Sequence, residues 1–402
     1  MLLALATVGQ TERISLTTSV EIHPPNPLAR LPFTGSLNSS TTFFESEQMS
    51  KKSISLHALS AVALAALLTA CGGGGGGDSS TGSSGGSGSG SSGSGGVVVT
   101  PTNPSTIVNS VADATYTASS EDSLAYEYLN QQRSTCGFGK LAQSTKLDTA
   151  AKAHADWSLI NNYYGHNEAS TIPLGYTGNT PKDRVAFAGY NVQEATETLI
   201  GSYGITSISG FGKSSASELM AMPYHLFGMM SPFKDVGVSI RSVNSVTPLV
   251  PNGLSRIAVF DFGVANGDDY QTVEASTVLT YPCEGVTGVA TSVKGEVPNP
   301  VPGRDLATNP LGHSLLVMVR KDQTLAITSA SLVNTATGNP VTLRPPVTAA
   351  NDVNGVLGTF GNYMGFVMPD APLATNTKYQ ATIAGTNNGT PFTRSFTFTT
   401  GN

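Results

Sequence analysis

The chain has little charge. Asp, Glu, Lys and Arg make up only 12% of its 402 residues, and 21 Lys and Arg stand against 27 acids, a formal charge of −6. No basic stripe runs along it, so the electrostatic footprint of nucleic-acid binding is missing and that class of function is set aside. Long apolar runs are lacking too. The run from Ile54 to Leu68 falls short of the ~20 residues a bilayer-spanning helix needs. No nucleophile elbow of the Gly-x-Ser-x-Gly type lies between a strand and a helix, and Ser is too abundant to single out a nucleophile. Cysteine is scarce, with three residues. In their place stand 44 Gly and a high content of Ser, Thr and Asn, the composition of an exported, β-rich protein with room for two or three domains.

The N-terminal part is built for export. From Met49 the chain reads MSKKSISLHALSAVALAALLTACGGGGGG, with Lys51 and Lys52 ahead of a short apolar core and Leu68-Thr69-Ala70-Cys71 at its end. This resembles the bacterial lipoprotein signal, or lipobox; the alternative is an ordinary signal peptide with a chance Cys. The resemblance implies that residues 49–71 are a signal peptide and that Cys71 is acylated as the new N-terminus. Gly72 at the next position implies sorting to the outer membrane, so the expected location is lipid-anchored there, facing the periplasm or the cell surface. Residues 1–48 fit no export logic and read as a misassigned upstream segment, with Met49 the true start. Residues 72–115 read as a linker whose Gly/Ser-rich part lets the cargo move on the order of 25 Å from the membrane. With Cys71 spent on lipid, Cys136 and Cys283 remain in an oxidising compartment. One disulfide is the economical reading; two free buried thiols are the alternative.

Folded sequence begins near Tyr116. SSEDSLAYEYLNQQRSTCG opens on Ser caps with acids in the first turn and stops at Gly137, a helix. In STKLDTAAKAHADWSLINN a cap at Ser144 precedes Leu147, Ala150, Ala151, His154 and Ser158 on one helical face. Loop-rich sequence to about residue 213 leads into a short helix from Ser215 to Met222 that Pro223 is expected to end. Strands follow: KDVGVSI puts Val236, Val238 and Ile240 on one side, and SRIAVFDFGV is a buried apolar strand. Beyond residue 285 Pro and Gly punctuate short alternating runs, as in PFTRSFTFTTG, the pattern of a small β-sandwich over residues 296–402. His313 stands alone there and reads as a surface or strand residue.

The middle block has a further order. LNQQRSTCGFGKL, LDTAAKAHADWSLINNYYGHNE, TPKDRVAFAGYNVQEATE and MAMPYHLFGMMSPFKDVGVSI resemble, in sequence and spacing, the CAP superfamily of cysteine-rich secretory, antigen 5, pathogenesis-related and bacterial SCP-domain proteins. The resemblance covers about residues 120–283, giving a domain at 116–285. It implies an α+β fold: an α-β-α sandwich followed here by a small all-β Ig-like sandwich, a module appended to some bacterial members. It also implies a cleft with two His and up to two acids. His166 matches the His after the aromatic, Glu194 the Glu of Gly-Glu-Asn, and His225 the second His. The chain departs from the pattern at several points. The Gly and Asn around Glu194 are missing, Leu219 replaces a Trp, and the second acid has no clear counterpart. Glu218 is nearby, but Ser215-Ala-Ser-Glu218 is a capping-box pattern. His154 reads as a buried, hydrogen-bonded core histidine, and Arg184 and Tyr190 as braces of the cleft wall.

Two imidazoles and a carboxylate can bind Zn²⁺ with an open fourth position, His166 and His225 being the metal ligands. Three functions follow. One is a non-enzymatic envelope module binding a small apolar ligand such as a lipid or sterol, or a cell-wall fragment. Another is a metal-dependent hydrolase with His166 and His225 as ligands and Glu194 as the candidate catalytic base. The third is a surface adhesin or structural protein. The Met- and Phe-rich surroundings of His225 and the degenerate acidic set favour binding over catalysis. Oligomeric state is not legible.

Overall fold

Residues 105–246 and 253–402 are described by the computed structural model of the chain. The expected leader, the expected acylation site Cys71 and residues 72–104 of the expected tether lie outside them. Residues 105–115, also expected as tether, are bonded to the folded chain. Thr106 donates its backbone N–H to Thr272, Val108 N–H reaches Gln271 Oε1 at 2.8 Å and Thr115 N–H reaches Gln143 Oε1 at 2.6 Å.

Helix α1, Glu121–Thr135, starts where Ser120 accepts from Ser123 N–H, a cap worth about 1 kcal/mol. Strand β1 is Ala142–Gln143 and helix α2 is Thr145–Asn161, capped by Ser144. Leu147, Ala150, Ala151, His154 and Ser158 are all buried on α2, the face that the periodicity predicts. Next come α3 at Pro181–Phe187, β2 at Val192–Tyr203, α4 at Phe211–Leu219, α5 at Pro223–Met230, β3 at Asp235–Ser242 and β4 at Leu254–Ala265. Their sheet has the order β1-β3-β4-β2. The central β4 is buried along nearly its whole length, so its apolar residues alternate between two covered faces. Leu199, Ile257 and Val259 meet Ala151, Ala155 and Leu159 of α2. Val236, Val238, Ile240, Phe260 and Phe262 join Leu129 of α1 and Leu219 and Leu226 from α4 and α5.

Two local expectations are corrected. Pro223 does not end a helix; it occupies the first turn of α5, where its missing N–H costs nothing and its fixed φ suits the helix. The preceding helix starts at Phe211, four residues before Ser215, so Glu218 lies near the end of α4 rather than in a capping box. The α4 amides of Gly210 and Gly212 are instead taken by the Glu121 carboxylate of α1, at 2.7 Å each.

The rest of the chain is β-rich: β5 at Leu279–Tyr281, β6 at Val286–Val289, β7 at Ser292–Val293, β8 at Leu311–Gly312, β9 at Leu315–Met318, β10 at Leu325–Asn334 and β11 at Val347–Thr348. A short helix α6, Val356–Phe360, precedes β12 at Met364–Val367, β13 at Lys378–Asn387 and β14 at Thr390–Thr400. They form sheets of order β10-β13-β14-β6 and β11-β12-β9-β5, with β7 pairing β8. Strands β5 and β6 therefore belong to these sheets although they precede residue 296. The whole is an α+β protein, and the described residues all fall in one compact unit. Cys136, just after α1, is bonded to Cys283, just after β5, with 5.5 Å between their Cα atoms. His313 is buried, not at the surface.

Candidate functional site

The site is built on a layer of buried charge. Glu197 of β2 and Asp261 of β4 stand opposite each other in register, so their side chains share one face of the sheet. That face is covered by α2, which brings His154, and by α3, which brings Arg184. His154 has no exposure, and its Nδ1 lies 3.0 Å from Glu168 Oε1 while Nε2 lies 3.0 Å from the Gly165 carbonyl. Arg184 donates to Glu197 Oε2 at 2.6 Å and to the His166 carbonyl at 2.9 Å. Thr177 N–H donates to Glu168 Oε2 at 2.8 Å.

Charge is shared unequally across this layer. Burial works to raise the Glu197 carboxyl, but His154, Arg184 and His166 outweigh it and pull it down to about 2, so it is a carboxylate at neutral pH. Burial and the neighbouring Glu197 charge push Asp261 well above the usual carboxyl range. Of this pair Asp261 is the carboxyl whose charged form the fold disfavours, and neither of its oxygens has a hydrogen-bond partner among the described residues.

On this base sit the two histidines. His166 Nδ1 is 2.9 Å from Glu197 Oε1, with the His166 side chain 43% exposed. His225, in the first turn of α5, has its Nδ1 2.7 Å from Glu296 Oε1, and the Glu296 side chain is fully buried. The rings face each other with centroids 6.1 Å apart and planes at 35°. A carboxylate oxygen accepts, so each ring turns its Nδ1–H to the acid and, as a neutral imidazole, presents Nε2 as an acceptor. Both line a cavity of about 380 Å³ whose walls include Tyr164, Leu199, Ile200, Met222 and Val297. A second cavity of about 220 Å³ shares both histidines and Val297 and reaches Val356 and Phe360. A third, about 360 Å³, continues from Glu218, Met222 and Lys294 towards Ser292 and Asn402. Burial raises the Glu218 carboxyl, against the pull of Arg256 and Lys294.

The structure thus brings His166 and His225 together and sets Glu218 in the wall beside them. Glu194 does not join them. It is three residues from Glu197 on a strand of period two, so it projects from the opposite face. There it accepts from Tyr270 Oη and meets Lys321 Nζ at 3.4 Å. Glu197 takes the place expected of Glu194. Arg184 does brace the wall, through Glu197; Tyr190 is turned away and donates to Asp235 Oδ2 at 2.6 Å. Sequence reading missed Glu197, Glu296, Glu168 and Asp261. Strand alternation in ATETLIG was the signal for Glu197, whereas nothing local marks Glu296, 71 residues beyond His225.

Among the described residues no group of three or more His, Cys, Asp or Glu is arranged to hold a metal ion. The histidines offer two free nitrogens, while Glu197 is committed to His166 and Arg184, and Glu296 to His225. Catalytic zinc takes three protein ligands. The donor set does not complete such a site. No described helix is long and apolar enough to cross a membrane.

No protein-family model matches the chain. A search of curated proteins also returns no match. Among solved structures the chain is similar to an outer surface protein from Borrelia burgdorferi, at 16% identity, 38% of this chain, 97% of that chain and a TM-score of 0.28.

Proposed function

We propose that the chain is a CAP-type binding module. In this reading the sheet β1-β3-β4-β2 with its helices is the α-β-α sandwich of that superfamily, and the C-terminal sheets are an Ig-like companion. The protein is exported and anchored through acylated Cys71 in a bacterial outer membrane, and the two-histidine cleft takes a small, elongated, mostly apolar ligand. The observation that carries the binding reading is the pair of Nε2 atoms without a hydrogen-bond partner among the described residues, each ring fixed by a buried carboxylate, set in an apolar wall. Pockets of this kind bury the body of a ligand by the hydrophobic effect and orient it with a few fixed polar atoms. The fixed layer beneath favours binding over chemistry, since Glu197, the acid nearest His166, is locked by Arg184 and is not free to act as a base.

The test is a titration of the full chain with 1-aminoanthracene, a neutral fluorescent amphiphile. Saturable one-site binding is expected, weakened at least tenfold by Met222→Glu, which sets a charge in the apolar wall. Absence of saturable binding, or indifference to Met222→Glu, overturns the reading.

A further inference from the structure

The carboxylate that holds His225 comes from the other half of the molecule. Helix α5 opens with Pro223, and Met222 gives it no side-chain cap. The cap is supplied from a distance: Tyr224 N–H, in the first turn, donates to Glu296 Oε2 at 3.2 Å. The other oxygen of the same carboxylate takes His225 Nδ1 at 2.7 Å. One buried side chain therefore satisfies an orphan amide at a helix N-terminus, where negative charge is favoured, and fixes the ring one residue on.

Glu296 lies between β7 and β8, in a stretch without regular structure. The same stretch contributes Val297 to the cleft, and α6 contributes Phe360. α5 is pinned to this side as well. Tyr224 Oη donates to Asp352 Oδ1 at 2.5 Å and accepts from Asn354 Nδ2 at 3.0 Å, and the Phe227 and Phe360 rings lie 4.8 Å apart. The β-rich part is thus a wall of the cleft.

With both Nδ1 atoms donating to carboxylates, the cleft shows a ligand two hydrogen-bond acceptors. A ligand that satisfies them brings donors. A carboxylate placed there would oppose lone pairs to lone pairs and add negative charge near Glu197 and Glu296; a hydroxyl donates its one O–H to either imidazole and adds no charge. We propose that Glu296 is the positioning residue that makes His225 an acceptor, and that the cleft consequently takes a neutral long-chain alcohol in preference to the acid of the same length. The ligand half of this inference rests on the binding reading above; the positioning half does not.

Both halves are tested on the full chain at pH 8.0, where an ordinary imidazole is neutral. Long-range ¹⁵N–¹H correlation reads the tautomer of His225, expected as Nδ1–H in the wild type. In Glu296→Gln the amide oxygen keeps the Tyr224 N–H, so the NH₂ faces Nδ1 and the ring proton moves to Nε2. Displacement of 1-aminoanthracene then compares 1-decanol with decanoate. We expect the alcohol to bind at least tenfold tighter in the wild type, and this preference to shrink about tenfold in Glu296→Gln. An Nε2–H tautomer in the wild type overturns the positioning role without any variant, as does an unchanged tautomer in folded Glu296→Gln. Equal binding of alcohol and acid overturns the ligand preference alone. A chain that never binds the probe removes the binding reading and the preference with it, while a tautomer that answers to Glu296 still establishes the positioning.

Discussion

His313 provides the sharpest test of the electrostatics. It is 1% exposed, follows β8, and neither ring nitrogen has a partner among the described residues. Burial pushes its pKa down to about 3 from an ordinary 6.5. The folded protein therefore binds this proton less readily than the unfolded chain. Stability is complete above pH 6.5 and is lost as the pH falls towards 3, because the unfolded state gains the proton first. Integrated from pH 8.0 to pH 4.5, the difference costs about 3 kcal/mol. Since pH 4.5 lies above the folded value, the figure depends mainly on the unfolded one. His313→Phe keeps a ring beside Tyr281, whose centroid is 5.8 Å away, and removes the titration. Guanidinium unfolding of wild type and variant at both pH values isolates the effect, because every other titrating group cancels in the double difference. Far-UV circular dichroism and the emission of Trp157, the protein's single and fully buried Trp, report the transition. The variant should lose about 2–3 kcal/mol less than the wild type on acidification. Parallel losses, within about 0.5 kcal/mol, would show that His313 is not held neutral in the fold, whatever the variant costs at pH 8.0.

The buried layer under His166 makes a paired prediction. Glu197→Gln leaves Arg184 buried without its counter-charge and should cost about 3–5 kcal/mol by denaturant unfolding at pH 7. Asp261→Asn, replacing the carboxyl whose charged form the fold disfavours, should cost less than about 1 kcal/mol; equal costs would mean that the charge is wrongly assigned between the two. Replacing Cys136 and Cys283 together by Ser opens a loop with a sequence separation of 147, worth about 5 kcal/mol in the chain-entropy account, and a drop in Tm under 2 °C would contradict it. Two imidazole ligands bind zinc weakly, so 100 µM Zn²⁺ should stabilise by less than about 0.5 kcal/mol. A larger rise in Tm that disappears in His166→Ala would show that a third ligand joins them.

The sequence was most readable where one local rule decides the outcome. The Ser120 and Ser144 caps and the apolar period place α1 and α2, alternation in KDVGVSI places β3, and the near-continuous apolar run places β4. The disulfide was expected from the cysteine count and an expected oxidising compartment, and Cys136 is bonded to Cys283. β2 was missed because its buried face carries Glu197 for a charge layer, so ATETLIGSY reads as polar, Gly-containing loop. Pro223 was read as a stop because the same residue serves equally at the first turn of the next helix. Glu194 was chosen for its place in a motif, yet a three-residue step along a strand reverses the side chain, which only the pairing with β4 reveals. Glu296 had no local signal, because its role arises from packing between segments far apart in the chain.

The two dyads differ in what holds them, and this decides how the cleft behaves. His166 is tied to Glu197 on β2, which is clamped by Arg184 of α3 inside one covered face of the sheet. Moving it means disturbing buried charges, at several kcal/mol. His225 rides on an eight-residue helix, too short to be stable by itself. Its orientation depends on Glu296, on Tyr224 reaching Asp352 and on Phe227 against Phe360, all contacts across the seam with the β-rich part. Loosening that seam shifts one imidazole and leaves the other in place, so the 6.1 Å between the rings is set by how the two parts pack. Tyr224→Phe removes both seam hydrogen bonds of the Tyr224 hydroxyl, to Asp352 and from Asn354, without touching either histidine. It should broaden the His225 ring signals by NMR while those of His166 stay sharp, and equal broadening of both would show that the cleft moves as one body.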